Sequence, residues 1–449
     1  MPFILSMLTL GMLHGAVPEI PVTSHQLDNG LQVILSEDHR LPVVSVEVRY
    51  LVGSAHEKEG RTGFAHLFEH LMFQGSANFD NEYFKPLEPI GARVNGTTNT
   101  DRTNYYEQVP SEYLERVLWL ESDRMENLLP VLTQAKLDNQ RDVVKNERRQ
   151  NYEDRPYGMA FKHLMNNIFP KGHPYHHLPI GSHADLTAAS LDDVRAFFTR
   201  YYCPANAMVT VVGDFNSVDT LALIKRYFGS IKAGERAKTP NPEPVSLRAA
   251  VHVKDVDEVP LPRVYMAWPS PALFADGDAG LDILASVLTD GKASRLYQEL
   301  VYEKRIAKSV AAYQVSKHLA GFFVVQATAA PGKSLEDLAQ ALQAALERAL
   351  AKPPSKDEFE RSLNGWKKSF FGRIESGLRK VQLLSGYAHM TGEPGYLAKD
   401  LERYTSLSIK DVHETGSRWL NLKTGVRVDI APKPKEAKVR PSAVPKGGK

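Results

Sequence analysis

The chain has 449 residues, more than the roughly 250–300 that one hydrophobic core accommodates, so two or three domains are expected. Hydrophobic residues make up 43% and charged residues 24%, which are globular proportions and exclude wholesale disorder. Lys+Arg 55 balance Asp+Glu 53, so we expect no nucleic-acid partner. The single cysteine, Cys203, excludes a disulfide framework and cysteine-rich metal sites. Imidazole and carboxylate groups are therefore the ligands available to any transition metal.

The N-terminal segment is apolar over residues 3–17 and ends in small residues, like the core and cleavage zone of a secretory signal. No positive charge precedes it, and it is shorter than the roughly 20 residues that span a bilayer. We expect residues 1–20 to be an export signal, which predicts a periplasmic location. The alternative is an apolar arm that packs on the fold of a cytoplasmic protein. The rest of the chain holds no long apolar run, so no membrane span is expected.

The first half of the chain alternates between strand and helix patterns. Runs rich in Val, Ile and Tyr at period two predict strands over 31–38 and 43–53, preceded by a turn at Asn29-Gly30. The further elements predicted for this half are, in chain order, a helix at 63–74, a strand region at 92–108, helices at 112–125, 133–151 and 191–200, a buried strand at 207–213 and a helix at 218–228.

Apolar periodicity stops where Pro, Gly and charged residues concentrate, and this predicts a linker over 233–248. It separates a domain over 21–232 from a second over 249–432. The second half is predicted to hold a strand at 263–268, helices at 280–288 and 294–303, strands at 309–315 and 322–329, helices at 335–351 and 356–372, and a strand at 426–431. The Pro- and Lys-rich residues 433–449 are expected to form a disordered tail.

The two halves resemble an internal repeat. Aligning Gly63 with Gly280 pairs two apolar helices that each follow a glycine, and each half ends in a β-rich run. In this alignment, the polar residues of the first helix stand opposite Ile283, Ser286 and Val287. The repeat therefore predicts a duplicated scaffold with a functional site in its first half only.

The helix at 63–74 carries the pattern H-x-x-E-H, formed by His66, Glu69 and His70. At 100° per residue, Glu69 lies about 60° to one side of His66 and His70 about 40° to the other. Two imidazoles at this spacing can reach one ion, and zinc favours such ligands. The flanking residues are apolar, so the helix is expected to be buried. Buried histidines and carboxylates need either hydrogen bonds or a metal, and both alternatives are open at this point.

The segment RTGFAHLFEHLMFQGS, with Glu147 downstream in the helix predicted over 133–151, resembles the pitrilysin/insulinase family of zinc peptidases, which includes the mitochondrial processing peptidases. The resemblance continues in order through most of the chain. It covers LDNGLQVILSEDHRLPVVSVEVRY, VNGTTNTDRTNYYEQVP, HPYHHLPIG, YYCPANAMVTVVGDF and GKASRLYQELVYEKRIAKSV. Several independent segments that match in the same order make chance a poor explanation.

The resemblance implies an α+β fold of two homologous α/β-sandwich halves, each a mainly antiparallel sheet with helices on one face, arranged as a clam shell. It also implies that His66, His70 and Glu147 bind one Zn²⁺ per chain and that Glu69 is the catalytic base of peptide hydrolysis. Zinc would acidify the attacking water, and Glu69 would move its proton to the leaving amine. The expected function is that of a zinc-dependent endopeptidase that cuts extended peptides.

Three further residues are assigned by the same resemblance. Gln140 takes the place of a glutamate that supports the ligands in some relatives, and its amide keeps hydrogen-bonding reach without charge. Asn95 and Thr98 fall in a strand edge that pairs with substrate as an added strand, where Gly96 replaces the usual small residue. An ordinary strand next to a turn is the alternative for this segment.

A second histidine cluster, at 173–177, resembles a loop that is structural in the family, and we do not expect it to bind metal. The sharpest departure from the family lies in the second half. Complete sites carry an Arg and a Tyr that hold the substrate, but Val301 and Lys308 occupy those positions here. We therefore expect a heterodimer with a homologous subunit that lacks H-x-x-E-H and supplies this clamp. A self-sufficient homodimer and a non-catalytic structural subunit of the same fold are the alternatives.

Overall fold

The computed structural model describes residues 19–434, in which two similar sheet-and-helix halves follow one another. Most of the predicted export signal at 1–20 and most of the predicted tail at 433–449 lie outside the described residues. Within residues 19–434, no helix is both long and apolar enough to cross a membrane.

The first half is built on a six-stranded sheet in the order β1-β2-β6-β3-β5-β4. Only β2 and β6 pair in parallel; the other neighbours are antiparallel. The strands of this sheet are β1 (Thr23–Gln26), β2 (Gln32–Glu37), β3 (Val43–Tyr50), β4 (Arg93–Thr98), β5 (Thr103–Pro110) and β6 (Ala207–Gly213). The order leaves β4 at one edge, next to the turn that joins it to β5.

The second half repeats this topology in a five-stranded sheet ordered β7-β11-β8-β10-β9. Its strands are β7 (Val251–Asp257), β8 (Arg263–Ser270), β9 (Ala307–Val315), β10 (Gly321–Ala329) and β11 (Val426–Pro432). Here β7 and β11 form the one parallel pair of the sheet, in the place that β2 and β6 take in the first. The shared strand order, with a parallel pair at the same place, confirms the predicted duplication and the α+β fold of two homologous halves.

Thirteen α-helices accompany the two sheets within the described range. The first half contains α1 (Phe64–Leu71), α2 (Leu114–Asn127), α3 (Gln134–Arg148), α4 (Ala160–Ile168), α5 (His183–Ala188), α6 (Leu191–Tyr201) and α7 (Ser217–Phe228). The second contains α8 (Asp278–Thr289), α9 (Leu335–Leu350), α10 (Lys356–Glu375), α11 (Gly377–Thr391), α12 (Leu397–Thr405) and α13 (Ile409–Trp419). Several start after a Ser or Thr whose side chain accepts a backbone N–H, as at Thr133, Ser334 and Ser408.

The largest apolar core joins the two halves. It runs from the first sheet and its helices to one face of the second sheet, where Phe161 of α4 packs its ring 5.3 Å from that of Phe322 in β10. Helix α11 of the second half covers the other face of the first sheet, with Val381 and Leu384 against Ile34 and Met208. Because both faces of the sheet are covered, β6 is buried along its whole length and is apolar except for Thr210.

Two sequence predictions need correction. The strand region predicted over 92–108 is a hairpin, because the Asn99 side chain accepts the backbone N–H groups of Asp101 and Arg102 and turns the chain between β4 and β5. Strand β7 and helices α4, α5, α11, α12 and α13 were not predicted, although Ser408 and Asp411 form a reciprocal cap at the start of α13.

Candidate metal centre

Helix α1 is held at its first turn by a buried carboxylate. The two oxygens of Glu57 accept hydrogen bonds from the backbone nitrogens of Gly63 at 2.9 Å and Ala65 at 2.8 Å. Gly63 has φ of +91°, and a Cβ there would approach the carbonyl oxygen of Ile180 to 2.8 Å. Glycine is needed at this position both for the backbone conformation and for the close approach of the loop. The start of the helix therefore has a defined direction relative to the rest of the first half.

The apolar face of α1 fixes its rotation. Phe64, Leu67, Phe68 and Leu71 are almost completely buried. Phe68 also stacks on Phe197 of α6, with ring centroids 5.3 Å apart. This burial leaves the remaining face, which carries the H-x-x-E-H side chains, turned toward an open cavity.

Helix α3 packs against α1 and brings a carboxylate to the two imidazoles. The Oε2 atom of Glu147 lies 3.6 Å from Nε2 of His66 and 3.3 Å from Nε2 of His70. One ligand atom from each of the three side chains falls within 4.8 Å of the other two. The side chains are only partly exposed, at 12% for His66, 23% for His70 and 33% for Glu147.

These separations suit a tetrahedral zinc ion. With ligand bonds of about 2.0–2.1 Å, two ligands of such an ion stand about 3.3–3.4 Å apart. Two imidazole nitrogens and one carboxylate oxygen leave a fourth position free, as in catalytic zinc sites. The Nε2 atoms of His66 and His70 both face the Oε2 atom of Glu147, so all three ligand atoms point to one place. The donor set therefore fits the metal that the resemblance implies.

The electrostatics of the cluster favour metal binding over proton binding at His66. Burial, with a smaller contribution from His70, lowers the pKa of His66 to about 4, so its imidazole is neutral at pH 7. The contact with His70 lowers the pKa of Glu147, which keeps this carboxylate ionised. Neutral imidazole and ionised carboxylate are the protonation states that metal ligation requires.

Glu69 lies beside the three potential ligands, under the edge strand β4. Burial raises its pKa, and a hydrogen bond with Thr98 acts in the opposite direction. A Cβ on Gly96 would lie 3.1 Å from Cγ of Glu69, so β4 passes directly over this side chain. A raised carboxylate pKa is typical of a group that accepts and returns a proton near neutral pH.

The cluster opens into a cavity of about 650 Å³ between the two halves of the chain. The first half contributes His66, Thr98 and Glu147 to its lining, and the second half contributes Arg263 and Tyr265 from the start of β8. The segment 151–158, which begins within the π-helical turn Arg149–Glu153 after α3, contributes to one wall.

The other predicted site residues are Asn95 and Thr98 on strand β4 and Gln140 on helix α3. Asn95 and Thr98 are on the unpaired edge of the first sheet, and the Asn95 side chain accepts from the backbone nitrogen of Gly96. Gln140 is buried on α3, but its amide donates to Asn139 at 2.9 Å rather than to Glu147. The structure therefore gives Gln140 no hydrogen bond to the predicted ligands.

The histidines at 173–177 serve other contacts. His177 lies 2.9 Å from Oε2 of Glu57, and Nδ1 of His176 lies 2.8 Å from the carbonyl oxygen of Phe169. His173 accepts from the backbone nitrogen of Tyr175. In the second half, Val301 lies in a π-helical segment and Lys308 is exposed on β9. Neither residue lines the cavity at the cluster.

Two functional features were missed from the sequence. The residues around Glu57 form no capping motif, because a loop separates Glu57 from the start of α1. The sequence therefore did not identify Glu57 as the acceptor for the first turn of that helix. Arg263 and Tyr265 stand about 200 residues after α1 in the chain, and only the packing of the halves brings them to the same cavity. Their position at the start of a predicted strand was the only available signal.

A two-halved α+β fold with a His-His-Glu donor set in one half is the architecture of a metallopeptidase class. The family model described as Insulinase (Peptidase family M16) matches residues 32–178, which contain all three potential ligands. The model described as Peptidase M16 inactive domain matches residues 188–365. The chain therefore belongs to the insulinase family, peptidase family M16.

Individual relatives agree with this assignment. The chain is 30% identical to "Zinc protease PqqE" of Helicobacter pylori over 432 residues, which cover 95% of this chain and 96% of that protein. The crystal structure of a protease from Helicobacter pylori matches with a TM-score of 0.85 and 28% identity, covering 92% of this chain and all of that one. The periplasmic protease PqqL from Escherichia coli shares the fold, with a TM-score of 0.74 and 19% identity, and this chain covers 48% of it.

Proposed function

We propose that the chain is a zinc-dependent endopeptidase that hydrolyses extended peptides. The observation that carries the proposal is the convergence of His66, His70 and Glu147 on one point, with the buried carboxylate of Glu69 beside it. These three side chains would hold the ion. When bound there, zinc supplies Lewis-acid polarisation of a peptide carbonyl and lowers the pKa of water.

Glu69 takes the role of proton carrier. Its Oε2 atom has no protein partner among the described residues, so it is free to accept a proton from the attacking water. It then donates that proton to the nitrogen of the leaving amine. The raised pKa that burial produces suits both steps, because the carboxyl has to gain and lose a proton within one turnover.

Strand β4 provides a binding edge for the substrate backbone. It is the last strand of its sheet, and its outer edge is unpaired within the described residues. An extended peptide that adds to this edge makes main-chain hydrogen bonds near Asn95 and Thr98, directly above Glu69. This mode of binding favours unfolded or extended peptides and tolerates many side chains.

The proposal includes a homologous partner subunit. Val301 has no polar group and Lys308 no phenol, so the chain lacks the Arg and Tyr that its family resemblance places there. PqqL supports a paired arrangement, since this chain covers only about half of that protein. The periplasm remains the location that we propose.

The test compares the zinc-loaded chain with Glu69→Gln on a set of unstructured peptides, with and without the partner recovered from the native source. Wild type with partner is expected to cleave. Glu69→Gln is expected to keep zinc and fold but to lose at least about a hundredfold in kcat. Zinc-loaded wild type that cleaves no peptide even with its partner would favour the structural-subunit alternative. Full activity of the lone, monomeric chain would contradict the proposal that the active site is shared between two subunits.

A further inference from the structure

The second half contributes a guanidinium to the cavity that contains the potential metal ligands. Arg263, at the start of β8, is oriented by two hydrogen bonds. Its Nε donates to Oγ1 of Thr328 at 2.9 Å, and its Nη1 donates to the hydroxyl of Tyr265 at 3.2 Å. These bonds use two of its five N–H groups. One N–H on Nη1 and both on Nη2 have no partner within the described residues, so the outer edge of the fork is free.

The plane of this guanidinium is also fixed. The Cζ atom of Arg263 lies 3.6 Å from the centroid of the Tyr157 ring, a stacked cation–π contact. Tyr157 itself is held at both ends by the second half: its backbone nitrogen donates to Asp257 at 2.6 Å and its hydroxyl donates to the carbonyl oxygen of Leu261 at 2.7 Å. Its backbone φ is +61°, a left-handed conformation that non-glycine residues adopt rarely and mostly at functional sites.

Arg263 forms no ion pair among the described residues. Within residues 19–434, the hydrogen bonds of the Arg263 side chain go only to Thr328 and Tyr265, and neither acceptor carries a charge. Asp257, which holds the backbone of the stacked Tyr157, accepts the backbone N–H groups of Tyr157 and Glu258. A second guanidinium, that of Arg155, lines the same cavity on its exposed rim and is likewise free of an ion pair among the described residues. The guanidinium of Arg263 thus has a fixed orientation, free N–H groups and no ion-pair partner. Such a group can bind a planar anion through two parallel hydrogen bonds.

We infer that Arg263 selects peptides with a carboxylate near the scissile bond, and that it does so from within this chain. The inference deepens the proposed function, since it names the substrate class for the same cavity. The carboxylate can come from a Glu or Asp side chain or from the C-terminus of the peptide, because both present the same two oxygens. Arg263 does not replace the Arg and Tyr whose positions are occupied by Val301 and Lys308. Those two residues hold the peptide backbone, whereas Arg263 binds a carboxylate.

The test measures binding, so it does not depend on hydrolysis. Fluorescence anisotropy of labelled peptides is followed with the full chain in EDTA. In one series a single Glu moves along a neutral host peptide with an amidated C-terminus, and each Glu is replaced by Gln for comparison. A second series compares free and amidated C-termini without any acid in the sequence. Wild type is expected to bind the Glu peptide about tenfold or more tighter than its Gln counterpart at one position, or to show that preference for the free C-terminus.

The variants assign this preference to one residue. Arg263→Gln is expected to lose it while binding the neutral peptide as wild type does. Arg263→Lys keeps the charge and the aliphatic stem, and its preference is expected to fall to about threefold, because an ammonium cannot form the two parallel bonds. Arg361→Gln, on the exposed surface of α10, is the matched control and is expected to keep the full preference.

Two outcomes would overturn the inference: a wild type that binds acidic and neutral peptides equally, or an undiminished preference in both Arg263 variants. Failure of the proposed function is a separate result, because it appears as lost hydrolysis by the zinc-loaded protein whatever the binding preference.

Discussion

Replacing Glu57 tests how the helix that carries the site is held. Its side chain is completely buried, and it accepts two backbone N–H groups of the first turn of α1 as well as contacting His177. Glu57→Ala leaves both N–H donors buried without an acceptor, at about 1–3 kcal/mol each. The expected loss in the free energy of unfolding is about 3–5 kcal/mol, a large fraction of the 5–15 kcal/mol typical of folded domains.

The size of the loss is measured by urea or thermal unfolding of the metal-free chain. A loss of this size lowers Tm by about 6–20 °C if the unfolding unit has about 200 residues. Glu57→Gln keeps the shape and one acceptor oxygen, so its loss is expected to be about half as large. Glu59→Ala is the matched control, since the Glu59 side chain is 82% exposed and its removal is expected to change little. Stability of Glu57→Ala equal to that of the control would refute the capping argument.

The remaining predictions concern the junction of the halves and the substrate edge. Burial lowers the pKa of Lys317 to about 8. Between pH 8 and about 10.4, the unfolded chain therefore binds more protons than the folded chain, and the free energy of unfolding rises with pH. In urea titrations, Lys317→Met is therefore expected to be more stable than wild type at pH 7, with an advantage that shrinks across this window; a constant difference would contradict the assignment. Gly96→Val is expected to lower peptide hydrolysis at least about tenfold, because a Cβ at 3.1 Å from Cγ of Glu69 leaves no room for two further methyl groups. Hydrolysis equal to that of wild type would show that the edge of β4 tolerates bulk over the carboxylate.

Local patterns in the sequence were enough to predict most of the first half. The H-x-x-E-H spacing placed three side chains on one helix face, and the buried run at 207–213 predicted β6 with its observed bounds. The duplication was predicted from a helix after a glycine in each half, and the repeated strand order confirms it. These features depend on period and spacing, which are properties of short segments.

Features that depend on long-range packing were not predicted. Helix α11 was missed because it belongs to the second half but packs on the sheet of the first half. Its apolar residues therefore face a sheet that lies far away in the sequence. The position of Glu147 next to His70 was expected only through family resemblance, since no spacing rule brings α3 to α1. Glu57 contacts α1 from a loop, and Arg263 reaches the cavity because the two halves pack together. The periodicity of a single segment predicts neither contact.

The metal content of the purified chain tests the central claim most directly. After dialysis against zinc and removal of free metal, elemental mass spectrometry is expected to find one zinc per chain in wild type and in Glu69→Gln. His70→Ala and Glu147→Ala are expected to retain almost none while keeping the circular dichroism of the wild type. A wild-type chain that binds no zinc, or ligand variants that keep a full equivalent, would contradict the assignment of these side chains as the metal site.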